Sequence, residues 1–194
     1  MSTYQTQKLI DDLQQQTESF INKAVTNWQI MPHKQFAYKE AVEKWSANQC
    51  LQHLNSYGHF YLPAIEKSIK DAAQKNQSIS NTFTSGWLGN YFTNLMLPKE
   101  NGTVSKKMNS PKNHQPKNNA DSFAVIAEFI EQQEKILQLL EKSRNYNLNT
   151  IKVPISLSKF IKLKLGDVFL FLIAHNQRHI LQAEKALLQY HHKV

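Results

Sequence analysis

Two histidines near the C-terminus, His175 and His179, stand four residues apart in a segment with helical periodicity. Side chains at positions i and i+4 of a helix project from the same face, so both imidazoles can point at one centre. A third histidine, His53, lies in a separate segment that also reads as a helix. One nitrogen from each ring would make a three-histidine site for a divalent metal ion, with positions left for water or substrate.

Such a site has a defined chemistry. Three neutral imidazoles leave a divalent ion with its full charge, so the ion would act as a Lewis acid and acidify bound water or a bound thiol. Zinc, nickel and iron(II) all accept imidazole ligands, and the sequence does not choose among them. The alternative is structural, because a histidine on an apolar stripe is more often a hydrogen-bonded core residue than a metal ligand.

The histidines depend on helices to position them. Apolar residues recur at the helical period in four segments, which predict helices over about 4–28, 46–75, 121–145 and 166–190. Ser46 and Gln49 form a capping box at the start of the second helix, and Pro63 is expected to kink that helix. A long loop, 98–119, would connect the second and third helices. We predict an all-α fold, a four-helix bundle with this long crossover, in a single domain over 1–194.

The two histidines of the last helix fall on its interior stripe rather than on its polar face. That stripe has spacings of three and four residues and reads Val168, Leu172, His175, His179, Gln182, Ala186. Burying imidazoles costs several kcal/mol unless their nitrogens are satisfied, which a metal ion would do. Two connecting segments are less regular. Ser85–Leu97 suggests a short helix, and 161–165 is either extended or a short helix.

Some neighbours of the histidines could contact a substrate or orient a ligand. These candidates are Tyr57, Gln182, Asn176 and Cys50, with Asp167 equally able to cap its helix. For Cys50 we favour an inert buried thiol over a nucleophile. Trp45 and Trp87 are predicted to pack. Four other histidines lie in polar or terminal surroundings and are predicted to be surface residues: His59, His114, His191 and His192.

Composition limits the function classes. The 194 residues carry a net charge of +8, with 41% hydrophobic residues and only 5 glycines and 6 prolines, as suits a helical globule. Cys50 alone cannot form an internal disulfide, and the N-terminus lacks a signal-peptide pattern, so we expect a cytoplasmic protein. We expect a small-molecule substrate, with neither a membrane nor nucleic acid as partner, and leave a homodimer open.

The predicted loop contains a small basic cluster. Within 99–117, Lys106, Lys107 and Lys112 are opposed only by Glu100. This loop could cover the site and attract an anionic thiol or a carboxylated substrate, or it could simply be mobile. No helix-turn-helix signature, base-stacking motif or Arg-rich helix accompanies the lysines, which argues against nucleic-acid binding.

Three segments together resemble the DinB-like superfamily of bacterial four-helix-bundle proteins. They are WSANQCLQHL (45–54), LGD (165–167) and HNQRHILQ (175–182). In that family, one histidine on the second helix and an H-x-x-x-H pair on the last hold a divalent metal, and the matching positions here are His53, His175 and His179. The resemblance runs from Trp45 onward.

The resemblance implies a reaction class. Characterised members include enzymes in which a metal-activated low-molecular-weight thiol attacks or isomerises an electrophile. A thiol S-transferase with such a thiol as cosubstrate is therefore one expectation, and a small hydrolase is another. The alternative from a different class is a non-catalytic metal-binding or interaction protein with a structural three-histidine site.

Overall fold

The computed structural model describes residues 2–74, 78–99 and 109–191, and the part it describes is mostly helical. Within it, six α-helices follow one another: α1 (Thr6–Lys23), α2 (His33–Phe36), α3 (Ala47–Ala73), α4 (Trp87–Met96), α5 (Ser122–Ser143) and α6 (Leu165–His191). Four short strands accompany them: β1 (Thr3–Gln5), β2 (Thr82–Thr84), β3 (Lys152–Ile155) and β4 (Ser158–Lys164). The mostly helical prediction is confirmed, but two small antiparallel sheets, β1–β2 and β3–β4, correct the expectation of an all-α fold.

The four long helices pack on one another. α3 contacts α5 and α6, α1 contacts the same two helices, and α4 lies along α6. Large aromatic side chains fill the space between them. Trp28, on a π-helical turn that continues α1, is 1% exposed and lies with its ring centroid 5.9 Å from that of Phe36 and 6.2 Å from that of Phe129. This aromatic cluster joins the end of α1 to α2 and α5.

The start of α3 follows the sequence prediction. The Ser46 hydroxyl accepts from the Gln49 backbone N–H at 3.2 Å, and the Gln49 side-chain oxygen accepts from the Ser46 N–H at 3.2 Å. This capping box satisfies two of the N–H groups that a helix start leaves unpaired. α3 continues through Pro63 as far as Ala73. His53 is thereby placed on the second turn of a helix with a defined beginning.

The first predicted helix begins too early. Tyr4 lies in β1, where it pairs with Phe83 of β2, and the two rings stack with centroids 6.2 Å apart. A strand partner distant in the sequence therefore outcompetes the local helical period.

The connecting segments between the long helices contain a short helix and a strand. The short helix expected within Ser85–Leu97 is α4. The segment 161–165 is extended up to Lys164, because it belongs to β4, where buried Leu163 pairs with buried Val153. Of the predicted loop 98–119, residues 100–108 lie outside the described part.

Among the described residues, no helix is both long enough and apolar enough to cross a bilayer. The cytoplasmic location and the single-domain organisation stay predictions.

Candidate metal centre

The packing of α3 on α6 brings together the three histidines singled out from the sequence. The Nε2 atoms of His53 and His175 lie 3.2 Å apart, and the His179 ring centroid lies 4.6 Å from that of His53 and 4.7 Å from that of His175. One nitrogen from each ring lies within 4.8 Å of the others. The side chains are buried, with residue exposures of 3%, 3% and 8%. The geometry is compatible with metal binding.

Hydrogen bonds define which nitrogen of two rings carries the proton. His53 Nδ1 lies 2.7 Å from the carbonyl oxygen of His114, which can only accept, so Nδ1 carries the hydrogen and Nε2 keeps a lone pair. His179 Nδ1 lies 3.0 Å from the side-chain oxygen of Gln182, and the same reasoning leaves a lone pair on its Nε2. Hydrogen bonds of this kind fix the orientation of metal-binding histidines.

The separation of the ligand nitrogens tests whether an ion fits. Two imidazole nitrogens bound to one zinc ion at about 2.0–2.1 Å and a tetrahedral angle would be about 3.3 Å apart. The observed 3.2 Å between the His53 and His175 Nε2 atoms matches that separation. With all three ligand atoms within 4.8 Å of one another, the donor set is compatible with a divalent ion.

Burial keeps all three rings neutral. Loss of hydration lowers the pKa of His53 to about 4 and is the largest cause of the lowered pKa of His179, about 3. The pKa of His175 is lowered well below its ordinary value, first by burial and then by its histidine neighbours. A neutral imidazole is the form that binds metal, so the cluster needs no deprotonation at neutral pH.

Aromatic rings surround the cluster. Trp45 lies with its ring centroid 5.0 Å from that of His53 and 5.9 Å from that of His179, and Phe171 stacks on His175 at 5.8 Å. Trp45 thus packs as predicted. Trp87 does not, because 72% of its surface is exposed on α4.

The donor set consists of nitrogen alone. Within the described part of the chain, the group contains no carboxylate and no thiol. Cys50 is fully buried, and burial raises the pKa of its thiol, so this thiol stays protonated at neutral pH.

The remaining candidates take different positions. Tyr57 lies directly beside His175, with ring centroids 4.4 Å apart, and burial raises its pKa to about 12. Gln182 contacts the cluster through His179, as described above. Asn176 instead donates to the side chain of Gln133 on α5 at 2.8 Å.

Asp167 does not face the histidines. Its carboxylate accepts hydrogen bonds from the Ser85 hydroxyl and the Gly86 N–H, and so ties the start of α4 to the first turn of α6.

The sequence prediction for His114 is wrong. It was expected at the surface, but it is 4% exposed, and its ring centroid lies 4.0 Å from that of Tyr57. Its polar neighbours in the sequence give no sign of burial, which results from contacts with α3. His59 is exposed, with 67% of its side chain accessible. The His191 side chain, His192, Lys106 and Lys107 lie outside what the structure describes.

Comparison with known proteins gives a family. The model of the DinB superfamily matches residues 6–183, a range that includes all three histidines. No curated protein and no solved structure matches the chain significantly.

Proposed function

Because this chain belongs to the DinB superfamily, we propose that it is a metal-dependent enzyme acting on a small molecule. His53, His175 and His179 would hold one divalent ion, either zinc, nickel or iron. The reaction we propose is transfer of a low-molecular-weight thiol to an electrophilic substrate, with hydrolysis as the second candidate. The arrangement of α1, α3, α5 and α6 that supports the site we propose to be a four-helix bundle.

One observation carries the proposal. Two buried Nε2 lone pairs are fixed by Nδ1–H bonds to oxygen, and the third imidazole has its Nε2 3.2 Å from one of them. Imidazole lone pairs buried in an apolar interior are costly unless a proton donor or an ion satisfies them, and one ion would satisfy all three rings. When bound, an ion with three neutral ligands acts as a Lewis acid that acidifies a coordinated thiol or water.

The charge around the site favours an anionic ligand such as a thiolate. No carboxylate belongs to the described histidine group. Arg178 lies on α6 between the two histidines and is 9% exposed, and its charge contributes to the lowered pKa of His175 and His179. A negatively charged sulfur would therefore lie near the positive charge of Arg178, and the described histidine group itself contains no carboxylate. This supports thiol transfer over a reaction that needs a carboxylate base.

The aromatic rings would shape the space for the organic part of the substrate. Trp45, Tyr57 and Phe171 present apolar faces to the histidines, and the Tyr57 phenol stays protonated at neutral pH because its pKa is raised. Such a wall excludes water from a reacting thiolate and increases its nucleophilicity. We therefore propose a small uncharged electrophile as the substrate.

The proposal is tested by metal content and activity together. We expect about one zinc, nickel or iron per chain in protein purified without chelator. Metal should be lost in His53→Ala and His179→Ala and retained in the exposed control His59→Gln. Protein loaded with each metal in turn should conjugate a small thiol to a chlorinated nitroarene, and the two alanine variants should not.

Other outcomes separate the alternatives. Wild-type protein that binds no metal would refute the proposed site. Stoichiometric metal with hydrolysis of an activated ester but no thiol transfer would favour the hydrolase. Metal that exchanges slowly and supports no turnover would favour the non-catalytic binding protein, since a closed site is typical of structural metal.

A further inference from the structure

The segment Asn109–Ala120, called the strap here, lies along α3 beside the histidine cluster. It contains the short 3-10 helix Lys112–His114. Amide side chains from the first two turns of α3 hold its C-terminal half. The bonds are Asn48 Nδ2 to the Ala120 carbonyl (2.7 Å), Gln49 Nε2 to Asn118 Oδ1 (3.2 Å), Gln52 Nε2 to the Lys117 carbonyl (3.3 Å) and Lys117 N to Gln52 Oε1 (3.0 Å).

The N-terminal half of the strap is hydrogen-bonded to α3 through His53. His53 Nδ1–H donates to the His114 carbonyl at 2.7 Å. Ser56 Oγ–H donates to the His53 carbonyl at 2.7 Å, which leaves Oγ as the acceptor for His114 Nδ1–H at 2.9 Å. The two histidines are therefore joined in a closed loop of hydrogen bonds, each bonded to the other's backbone carbonyl, directly or through Ser56.

Through these hydrogen bonds the strap determines which nitrogen of His53 is free to bind a metal ion. The His114 carbonyl holds the hydrogen of His53 on Nδ1 and so directs the Nε2 lone pair toward His175. Without the strap, His53 Nδ1–H would lose this acceptor, and the ring would be free to rotate or to move its hydrogen to Nε2. The His114 ring also covers Tyr57, which itself lies against His175.

We propose that docking of the strap on α3 and binding of the metal ion are thermodynamically linked, with His114 as the positioning residue. The inference rests on the proposed metal site. Because linkage is reciprocal, a docked strap raises the affinity for the ion, and the bound ion stabilises the docked strap. The three ligand residues are at most 8% exposed, so undocking of the strap would also give the ion and the substrate access to the site.

The linkage is tested with Zn²⁺ and two strap-anchor variants. Gln52→Ala removes both bonds to Lys117, and Ser56→Ala removes the side-chain bond to His114; neither changes a ligand. Loss of a group that orients a metal ligand typically costs about 10–100-fold in affinity, and we expect about tenfold weaker Zn²⁺ binding in each variant. Gln177→Ala, at a half-buried position of α6 on the side away from the histidines, is the matched control.

Two further readouts distinguish positioning from general loosening of the fold. In wild-type protein, Zn²⁺ should slow amide hydrogen exchange at the described strap residues, and less so in Gln52→Ala. The Co²⁺ absorption spectrum of Ser56→Ala should differ from that of the wild type, because the His53 ring is held differently. Thermal unfolding of the metal-free variants shows whether each has folded.

The possible results distinguish failure of the linkage from failure of the metal site. Equal Zn²⁺ affinity in the wild type and both anchor variants, with no effect of Zn²⁺ on strap exchange, would overturn the linkage and leave the metal site intact. An equal loss in Gln177→Ala would also overturn it. Wild-type protein that binds no Zn²⁺ would overturn the metal site and the linkage together. If Gln52→Ala does not fold, Ser56→Ala decides.

Discussion

Acid should destabilise the metal-free protein in a pH range where few other groups titrate. The perturbation is a change from pH 7 to pH 5 in the presence of chelator. The imidazoles of His53 and His179 have pKa values of about 4 and about 3 in the folded chain, against 6.5 as the ordinary value. Between pH 6.5 and about 4 the unfolded chain therefore binds more protons than the folded one, so the free energy of unfolding rises with pH and falls on acidification.

The magnitude follows from the pKa difference. At pH 5 an unfolded imidazole has taken up nearly a full proton and the buried one almost none. Acidification from the ordinary pKa of 6.5 to pH 5 spans about 1.5 pH units, and each unit is worth about 1.36 kcal/mol per proton. Each histidine therefore lowers the free energy of unfolding by about 2 kcal/mol. His53 and His179 together account for about 4 kcal/mol by the same relation. His175 acts in the same direction. A loss of this size is a large part of a typical domain stability of about 5–15 kcal/mol.

The assay is urea unfolding of chelated protein at half-unit steps between pH 7 and pH 5. The wild-type free energy of unfolding should fall steeply with acidity. In His179→Gln the fall to pH 5 should be smaller by about 2 kcal/mol, because one titrating group has been removed. His59→Gln, at an exposed position of α3, is the matched control.

Two results would refute the reasoning. One is a wild-type free energy of unfolding that is flat between pH 7 and pH 5. The other is the same reduction of slope in His59→Gln as in His179→Gln, which would show that burial in the cluster does not set the pH dependence.

Three further substitutions or modifications probe the rest of the account. Asp167→Ala should lower the free energy of unfolding in urea by about 1–3 kcal/mol, because the Ser85 hydroxyl and the Gly86 N–H lose their acceptor. The same substitution should leave the Zn²⁺ affinity unchanged. A tenfold loss of affinity would contradict the placement of this carboxylate away from the histidines. Gly58→Ala would place a methyl group 1.8 Å from the Gln132 side-chain oxygen, so we expect a loss of about 1–3 kcal/mol in the same assay. Unchanged stability would contradict this and show that the Gln132 side chain moves aside at little cost. The Cys50 thiol should react with a thiol reagent at pH 8 only after unfolding in urea, whereas rapid labelling of the native protein would contradict its burial.

The sequence was sufficient to predict most of the helices and, together with the resemblance to the DinB-like superfamily, the convergence of His53, His175 and His179. Helical periodicity places the last two on one face, and the Ser46–Gln49 capping box marks where the helix of His53 begins. Both are local properties of the chain, which is why they can be read without tertiary information.

The features that the sequence did not predict are all set by long-range contacts. Tyr4 is in a strand because Phe83 pairs with it, and His114 is buried because α3 binds the strap. Trp87 is exposed because it lies off the buried face of α4, which carries Gly89, Thr93 and Met96. The hydrophobicity of a segment and its neighbours in the sequence do not reveal such contacts, because the contacting residues are about sixty or more positions away.

The central claim is that three imidazole nitrogens bind one ion, and anomalous X-ray diffraction from Zn²⁺-loaded crystals tests it most directly. The account predicts a single zinc peak about 2.0–2.1 Å from one ring nitrogen each of His53, His175 and His179. The absence of a peak between these rings in a crystal whose protein contains stoichiometric zinc, or a peak bound by other residues, would contradict it.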